Sequence, residues 1–189
     1  MRSNRMLACI LALTGLLLLN GCQSLVTGRS GPEAAAEIDR SVDAALQRLY
    51  ATTPKARELA KRASGILVFP GVVRAGFIGG AKFGTGALRE RGRTSGYYNV
   101  VAGSYGLQAG VQSYDYAMFF MTPKALDYLK ESQGWEVGSG PTLVVVDSGV
   151  ANAMTTTTLR SDVYTFISSQ KGLMAGLGLQ GSKITRFEP

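Results

Sequence analysis

Nine basic side chains lie close together in the sequence and are the clearest candidates for binding chemistry. They are Lys55, Arg57, Lys61, Arg62, Arg74, Lys82, Arg89, Arg91 and Arg93. The same stretch, residues 55–93, contains two acidic residues, Glu58 and Glu90, so its net charge is +7. The whole chain also has a formal charge of +7, so this stretch accounts for the entire surplus. Such cationic clusters bind anionic lipid headgroups or nucleic acid, unless they are simply a solvated face.

Groups suited to catalysis are scarce. The chain contains no histidine, which excludes a Ser-His-Asp triad and histidine metal ligands. A GxGxxG match at 176–181 is followed by eight residues, too few for the helix and acid of a dinucleotide site. Four acids are scattered through separate elements: Asp115, Asp127, Asp147 and Asp162. We therefore expect no enzyme, cofactor or metal, with a hydrolase using paired carboxylates as the remote alternative.

Residues 1–21 are typical of a bacterial export signal. Arg2 and Arg5 form a basic start, and the apolar run over 6–19 is too short to span a bilayer comfortably. The run leads into Leu-Asn-Gly-Cys at 19–22, which resembles the bacterial lipobox. This motif predicts cleavage before the cysteine and lipidation of its thiol.

Cys22 is therefore predicted to carry covalent diacylglycerol and acyl chains, with residues 22–31 as a lipidated tether. The other cysteine, Cys9, lies in the leader, so the mature chain cannot form an intramolecular disulfide. Two or three acyl chains hold a protein at a bilayer without further help. Gln23 follows the cysteine where an aspartate would favour retention in the inner membrane. We expect a lipid anchor in the cell envelope, at the periplasmic face of the outer membrane.

The predicted location in the cell envelope determines which ligand we expect for the basic stretch. An exported lipoprotein does not ordinarily meet nucleic acid, so we expect no nucleic-acid partner and favour anionic phospholipid. Each base near an anionic surface contributes about 1 kcal/mol, which is small beside an acyl anchor. The nine bases are therefore predicted to orient the domain or to select a headgroup.

Helices are predicted at three places. Apolar residues recur at helical spacing over 32–50, with Pro32 in the first turn. A short second helix starts at Thr53-Pro54 and closes near Ala63. A third runs from Pro123 to Glu131, with its leucines facing inward.

The remaining periodic segments predict strands. A buried strand over 66–69 is expected to stop at Pro70-Gly71, and turns are expected at 91–93 and 95–96. Further strands are predicted at 73–79, 81–88, 97–101, 105–112, 114–121, 143–146, 162–168 and 173–179.

The order of these elements predicts an α+β fold. Two N-terminal helices precede several strands, and one inserted helix interrupts the strands before they resume. Glycine occurs 24 times and alternates with apolar residues, which is typical of strongly bent sheets. We expect a glycine-rich, curved, mainly antiparallel β-sheet or barrel within a single domain over 32–189.

Three blocks of sequence resemble the SYLF lipid-binding domain. They are the Ile-Leu-Val-Phe-Pro strand and Gly-Gly-rich segment within 63–88, Ser-Tyr-Gly-Leu-Gln-Ala-Gly-Val-Gln at 104–112, and Gln-Lys-Gly-Leu-Met-Ala-Gly-Leu-Gly at 170–178 continuing to 182. The resemblance covers about residues 35–187. It implies a non-catalytic domain; eukaryotic relatives bind phosphoinositides and membranes, and a yeast relative also engages actin.

Two readings of the function follow. In the first, the lipid-anchored periplasmic domain binds anionic lipid through the bases between Lys55 and Arg93. In the second, the domain is an envelope scaffold or interaction protein whose basic face meets another envelope protein or an acidic glycan.

Overall fold

The part of the chain that can be described begins after the predicted anchor. The structure, a computed structural model, describes residues 31–77, 79–105, 108–131, 135–136, 143–146, 161–176 and 179–189. Gly31–Pro189 forms one compact unit. The predicted export signal, the lipidation site Cys22 and the tether up to residue 30 lie outside the described residues.

The three predicted helices are confirmed. Helix α1 spans Pro32–Thr52, α2 spans Pro54–Ala60 and α3 spans Pro123–Glu131. A proline opens α1 and α2, where its fixed φ suits the first turn and its missing N–H costs nothing. No helix in the described part of the chain is long and apolar enough to cross a membrane.

Eight described strands form one sheet. They are β1 Gly65–Gly76, β2 Gly79–Glu90, β3 Arg93–Tyr105, β4 Gln108–Phe120, β5 Trp135–Glu136, β6 Leu143–Val146, β7 Val163–Gly176 and β8 Leu179–Phe187. Their order is β5-β8-β3-β2-β1-β4-β7-β6, and β6–β7 is the one parallel pair among them. The predicted α+β class with a mainly antiparallel sheet is confirmed. Of the two forms predicted, the described strands make the open sheet.

Both faces of the sheet are packed against helices over one half of its length. On one face, Val42 and Leu49 of α1 and Leu59 of α2 join Val68 and Phe119 in a buried cluster. A second cluster on the opposite face gathers α3 and inward residues of the central strands: Leu67, Phe69, Leu88, Met118, Phe120, Leu126, Leu129 and Val163. On the face that carries α1 and α2, the helices leave the other half of the sheet uncovered.

The expected stop at Pro70-Gly71 is wrong, because β1 continues through it as a bulge. The register with β4 shifts between Phe69 and Val72, which removes the need for a proline N–H. Gly71 adopts φ +59 and donates its N–H to the Asp115 carboxylate at 2.9 Å. The bulge lets the strand bend without ending.

Three other strand boundaries were predicted wrongly. The segments 105–112 and 173–179 each span a change of strand, from β3 to β4 and from β7 to β8. The turn expected at 95–96 lies inside β3, because the turn before it is completed by Arg91 and Gly92, both at positive φ.

Asp115 ties this bent sheet to α1. Its carboxylate is buried and accepts hydrogen bonds from the Arg48 guanidinium at 2.8 and 3.2 Å. The same carboxylate holds the Gly71 bulge. One acid therefore fixes both the bend in β1 and the position of the helix across the sheet.

Candidate functional site

The sheet has two distinct ends, and the nine basic residues divide between them. We call the end that carries the Arg91–Gly92 turn and α2 the helix end. We call the opposite end, where β1 passes to β2 and β3 passes to β4, the tip end. Seven of the nine lie toward the helix end, in α2, just after it, or beside the β2–β3 turn: Lys55, Arg57, Lys61, Arg62, Arg89, Arg91 and Arg93. Arg74 and Lys82 lie toward the tip end.

A cleft at the helix end brings three of the predicted bases together. Lys61, Arg89 and Arg91 line a space of about 390 Å³. The other lining residues are one acid, a glycine and mainly apolar side chains: Asp43, Leu46, Tyr50, Ala60, Ala63, Ile66 and Gly92. A cationic rim over an apolar wall suits an amphiphile with an anionic headgroup. We call this space the basic cleft.

Arg89 lines the basic cleft, but its guanidinium is engaged by partners within the protein. Its guanidinium donates to Asp43 at 2.7 Å and to Thr94, and it lies 3.5 Å from the Asp39 carboxylate. Asp39 also accepts from Thr94 Oγ1 at 2.7 Å and from the Tyr97 hydroxyl at 3.2 Å. Burial and the Asp39 carboxylate raise the pKa of Tyr97. Arg89 therefore holds α1 on the sheet, a role that its place in a run of bases did not indicate.

Two bases of α2 are also engaged within the protein. Lys55 pairs with Glu58 at 2.9 Å across one turn of the helix. The Arg57 guanidinium lies 5.9 Å from the centre of the Tyr50 ring and donates to the Tyr50 carbonyl. Burial raises the pKa of Tyr50, and the charge of Arg57 acts against that rise.

Besides Arg57, four bases at the helix end are exposed: Lys61, Arg62, Arg91 and Arg93. Within the described part of the chain, none of the four forms an ion pair. Arg91 also borders a second cleft of about 600 Å³, next to the Lys130–Glu90 pair. These four cations are the ones best placed to meet an external anion.

Arg74 and Lys82 form a separate pair in the other half of the sheet. They are direct cross-strand partners on β1 and β2. Lys82 is 4% exposed, and its ammonium lies 5.0 Å from the centre of the Tyr116 ring. Burial, reinforced by the charge of Arg74, lowers the pKa of Lys82 to about 8. Burial also raises the pKa of Tyr116 to about 12. The structure does not bring this pair together with the bases of the helix end.

Sequence reasoning missed an exposed apolar surface at the tip end. Val73, Phe83, Val101 and Val111 are 47–60% exposed on the half of the sheet face that α1 and α2 leave uncovered. A signal was present, because Val72–Val73 and Val100–Val101 are adjacent apolar pairs. In a strand, adjacent side chains point to opposite faces, so each pair places one valine outside the core.

The structure shows an α+β domain with a cationic surface at one end of its sheet. Residues 101–188 match the family model described as Ysc84, Las17-binding protein actin regulator. The match covers less than half of the chain, and it agrees with the resemblance to the SYLF domain on which the sequence blocks at 104–112 and 170–182 were identified. The block within 63–88 precedes the matched residues. No curated protein matches the chain.

Proposed function

We propose that this protein is a lipoprotein of the bacterial cell envelope whose folded domain binds anionic membrane lipid without catalysis. Lys61, Arg62, Arg91 and Arg93 carry this proposal, because they are exposed, unpaired in the described part of the chain, and gathered at one end of the fold. Two of them line a cleft with apolar walls. That combination suits a phospholipid headgroup and the upper part of its acyl chains.

The start of the folded unit supports the same arrangement. Gly31 donates its N–H to the Pro189 carbonyl at 3.2 Å. Pro189 follows β8, which pairs Phe187 with Tyr97 near the start of β3, so Gly31 lies toward the helix end. Eight residues lie between Cys22 and Gly31, and the nine residue steps can span at most about 30 Å. Acyl chains on Cys22 would therefore keep the basic cleft within reach of the bilayer.

The family description names actin regulation and Las17 binding. We do not transfer these to this chain, because an exported lipoprotein does not meet actin. From the resemblance to this family we infer a non-catalytic role at membranes. We propose that this role is carried out at the periplasmic face of the outer membrane.

The anchor is tested by labelling. In bacteria fed with labelled palmitate, we expect the full chain to incorporate the label and the Cys22→Ser variant to incorporate none. Globomycin should cause an uncleaved precursor to accumulate, because lipoprotein signal peptidase cuts before the modified cysteine. An unlabelled wild-type chain, or one processed normally in globomycin, would refute the anchor.

The basic cleft is tested with unlipidated protein. Residues 23–189 contain the whole compact unit, so this polypeptide can be mixed with neutral vesicles or with vesicles containing phosphatidylglycerol. We expect stronger binding to the anionic vesicles, weakened by salt. Lys61→Glu with Arg91→Glu should weaken that binding at least about thirtyfold, since each lost base contributes about 1 kcal/mol and each new carboxylate is repelled by the anionic surface. Co-sedimentation measures both effects.

The matched control reverses two exposed bases that do not line the cleft, Arg40 on α1 and Lys124 on α3. This variant has the same net charge as the cleft variant and should bind nearly as well as the wild type. Equal loss in both variants would mean that total charge, and not the cleft, directs binding. If no vesicle binds at all, the scaffold alternative with an envelope protein or acidic glycan is favoured.

A further inference from the structure

The tip end carries nearly all of the exposed large apolar side chains of the described structure. Six such side chains are exposed among the described residues, and five of them lie here: Val73, Phe77, Phe83, Val101 and Val111. Phe77 is 74% exposed where β1 passes to β2. Single exposed apolar residues are normal in soluble proteins, whereas a contiguous group marks a contact surface.

The sheet register makes these residues one surface. Val73 pairs with Phe83, and Phe83 pairs with Val101, so the three form a row across β1, β2 and β3. The row continues to Lys183 on β8. On its other side, Val73 pairs with Ser113 on β4, which pairs with Lys171 on β7. An exposed lysine therefore stands at each side of the apolar row.

The rows above and below differ in polarity. Toward the helix end, the next row is polar, with Thr85, Asn99 and Thr185 in register and the Thr85 hydroxyl donating to Asn99 at 3.0 Å. Toward the tip end, the next row holds small or apolar residues: Ala75, Ala81, Gly103 and Val111. Phe77 lies beyond that row. Polarity thus falls along the strand direction, from a polar row through a lysine-flanked row to an apolar tip.

We propose that the tip end is a second membrane-contact surface, which inserts into the boundary between headgroups and acyl chains in a different orientation of the domain from the one that brings the basic cleft to the bilayer. Phe77 lies four residues beyond Val73, about 13 Å along the strand. With Lys171 and Lys183 at the phosphates, Phe77 reaches the depth that interfacial apolar groups occupy. Lysine stems can follow the apolar surface while the ammonium groups stay at the headgroups.

Charge favours a bilayer over a second copy of the chain. The strand segments that form the tip half, 72–77, 79–85, 99–105, 108–113, 169–176 and 179–185, contain no aspartate or glutamate. Glu136 of β5, the register partner of Lys183, is an acid beside these strands, but a two-fold contact between copies would still bring together surfaces whose net charge is positive. An anionic lipid surface supplies both the negative charge and the apolar layer.

This inference rests on the proposed function because both require a bilayer, but the two surfaces can be tested apart. Residues 23–189 contain no cysteine, so one introduced cysteine can carry an environment-sensitive NBD label. We expect the label in Phe77→Cys to shift to shorter emission wavelength on phosphatidylglycerol-containing vesicles and to be quenched by doxyl-labelled lipid. The label in Thr185→Cys, on the same face but in the polar row, should show neither effect.

Serine variants give a second readout. Phe77→Ser with Phe83→Ser should weaken vesicle binding at least about tenfold, even at high salt, because the loss is of apolar contact. Tyr128→Ser on α3 removes the sixth exposed apolar side chain and should have little effect.

Each surface can fail separately. Unquenched label at position 77 in protein that still binds vesicles through the basic cleft would overturn the tip proposal alone. Unchanged vesicle binding by the Lys61→Glu and Arg91→Glu variant, with the label at position 77 still quenched, would overturn the cleft alone. A doubled mass in solution that Phe83→Ser abolishes would assign the surface to a second copy and overturn its membrane role.

Discussion

Replacing Gly86 with alanine is expected to prevent stable folding. A Cβ at this position of β2 would lie 1.9 Å from the Val68 carbonyl oxygen and 2.9 Å from Phe69 Cδ1. The closest obstacle is backbone, and it is held by the ladder that pairs Val68 with Ala87. We expect a loss above about 4 kcal/mol, a large part of the stability of an ordinary domain. Urea unfolding followed by circular dichroism measures it.

Gly103→Ala is the matched control. Gly103 lies in β3, and an added Cβ would meet nothing within 4 Å. This variant should unfold within about 1 kcal/mol of the wild type, because alanine and glycine differ by about that amount in regular structure. Equal stability of the two variants would show that β1 and β2 can separate locally at Val68 without cost.

Replacing Lys82 with methionine is expected to stabilise the domain at neutral pH and to remove part of its pH dependence. Lys82 is 4% exposed, and its pKa falls from an ordinary value of 10.5 to about 8. Below pH 8 the amine is protonated in both the folded and the unfolded chain, so the full penalty of burying the charge is present. That penalty corresponds to about 3 kcal/mol.

The sign of the pH effect follows from proton counting. Between pH 8 and 10.5 the unfolded chain holds this proton more tightly than the folded one, so the stability of the wild type rises with pH. Lys82→Met lacks that rise, and the stabilities of the two proteins should converge by about pH 10.5. Urea unfolding between pH 7 and 10.5 measures the difference, with Lys183→Met as an exposed control. Parallel profiles would show that burying the charge of Lys82 does not lower the stability of the domain.

Much of the fold followed from local patterns. The apolar spacing over 32–50 and the Thr122-Pro123 start located α1 and α3, because helix signals are short-range. The ends of the strands were harder to predict from the sequence than the helices. From the local sequence, Pro70-Gly71 predicts the end of a strand. The contact with the distant Asp115 and the register shift with β4 make it a bulge within β1.

The basic residues of the candidate site could be predicted from the sequence, but their positions in the fold could not. Arg74 and Lys82 are neighbours of Arg89 in sequence, yet β2 carries the chain along the sheet between them. At about 3.3 Å per residue, seven residues of strand separate Lys82 from Arg89 by roughly 23 Å. Which bases are exposed, which hold α1 and which are buried depends on partners such as Asp39 and Tyr116 that lie far away in sequence.

The contact between Gly31 and Pro189 affects how the domain would respond to force. If the proposed anchor at Cys22 is pulled, the load enters the compact unit at Gly31. The Gly31–Pro189 hydrogen bond passes part of that load to β8, which is paired along β3. The pulling force is thus shared between α1 and β8. A strand hydrogen-bonded along its length resists peeling better than a helix held by its side chains alone.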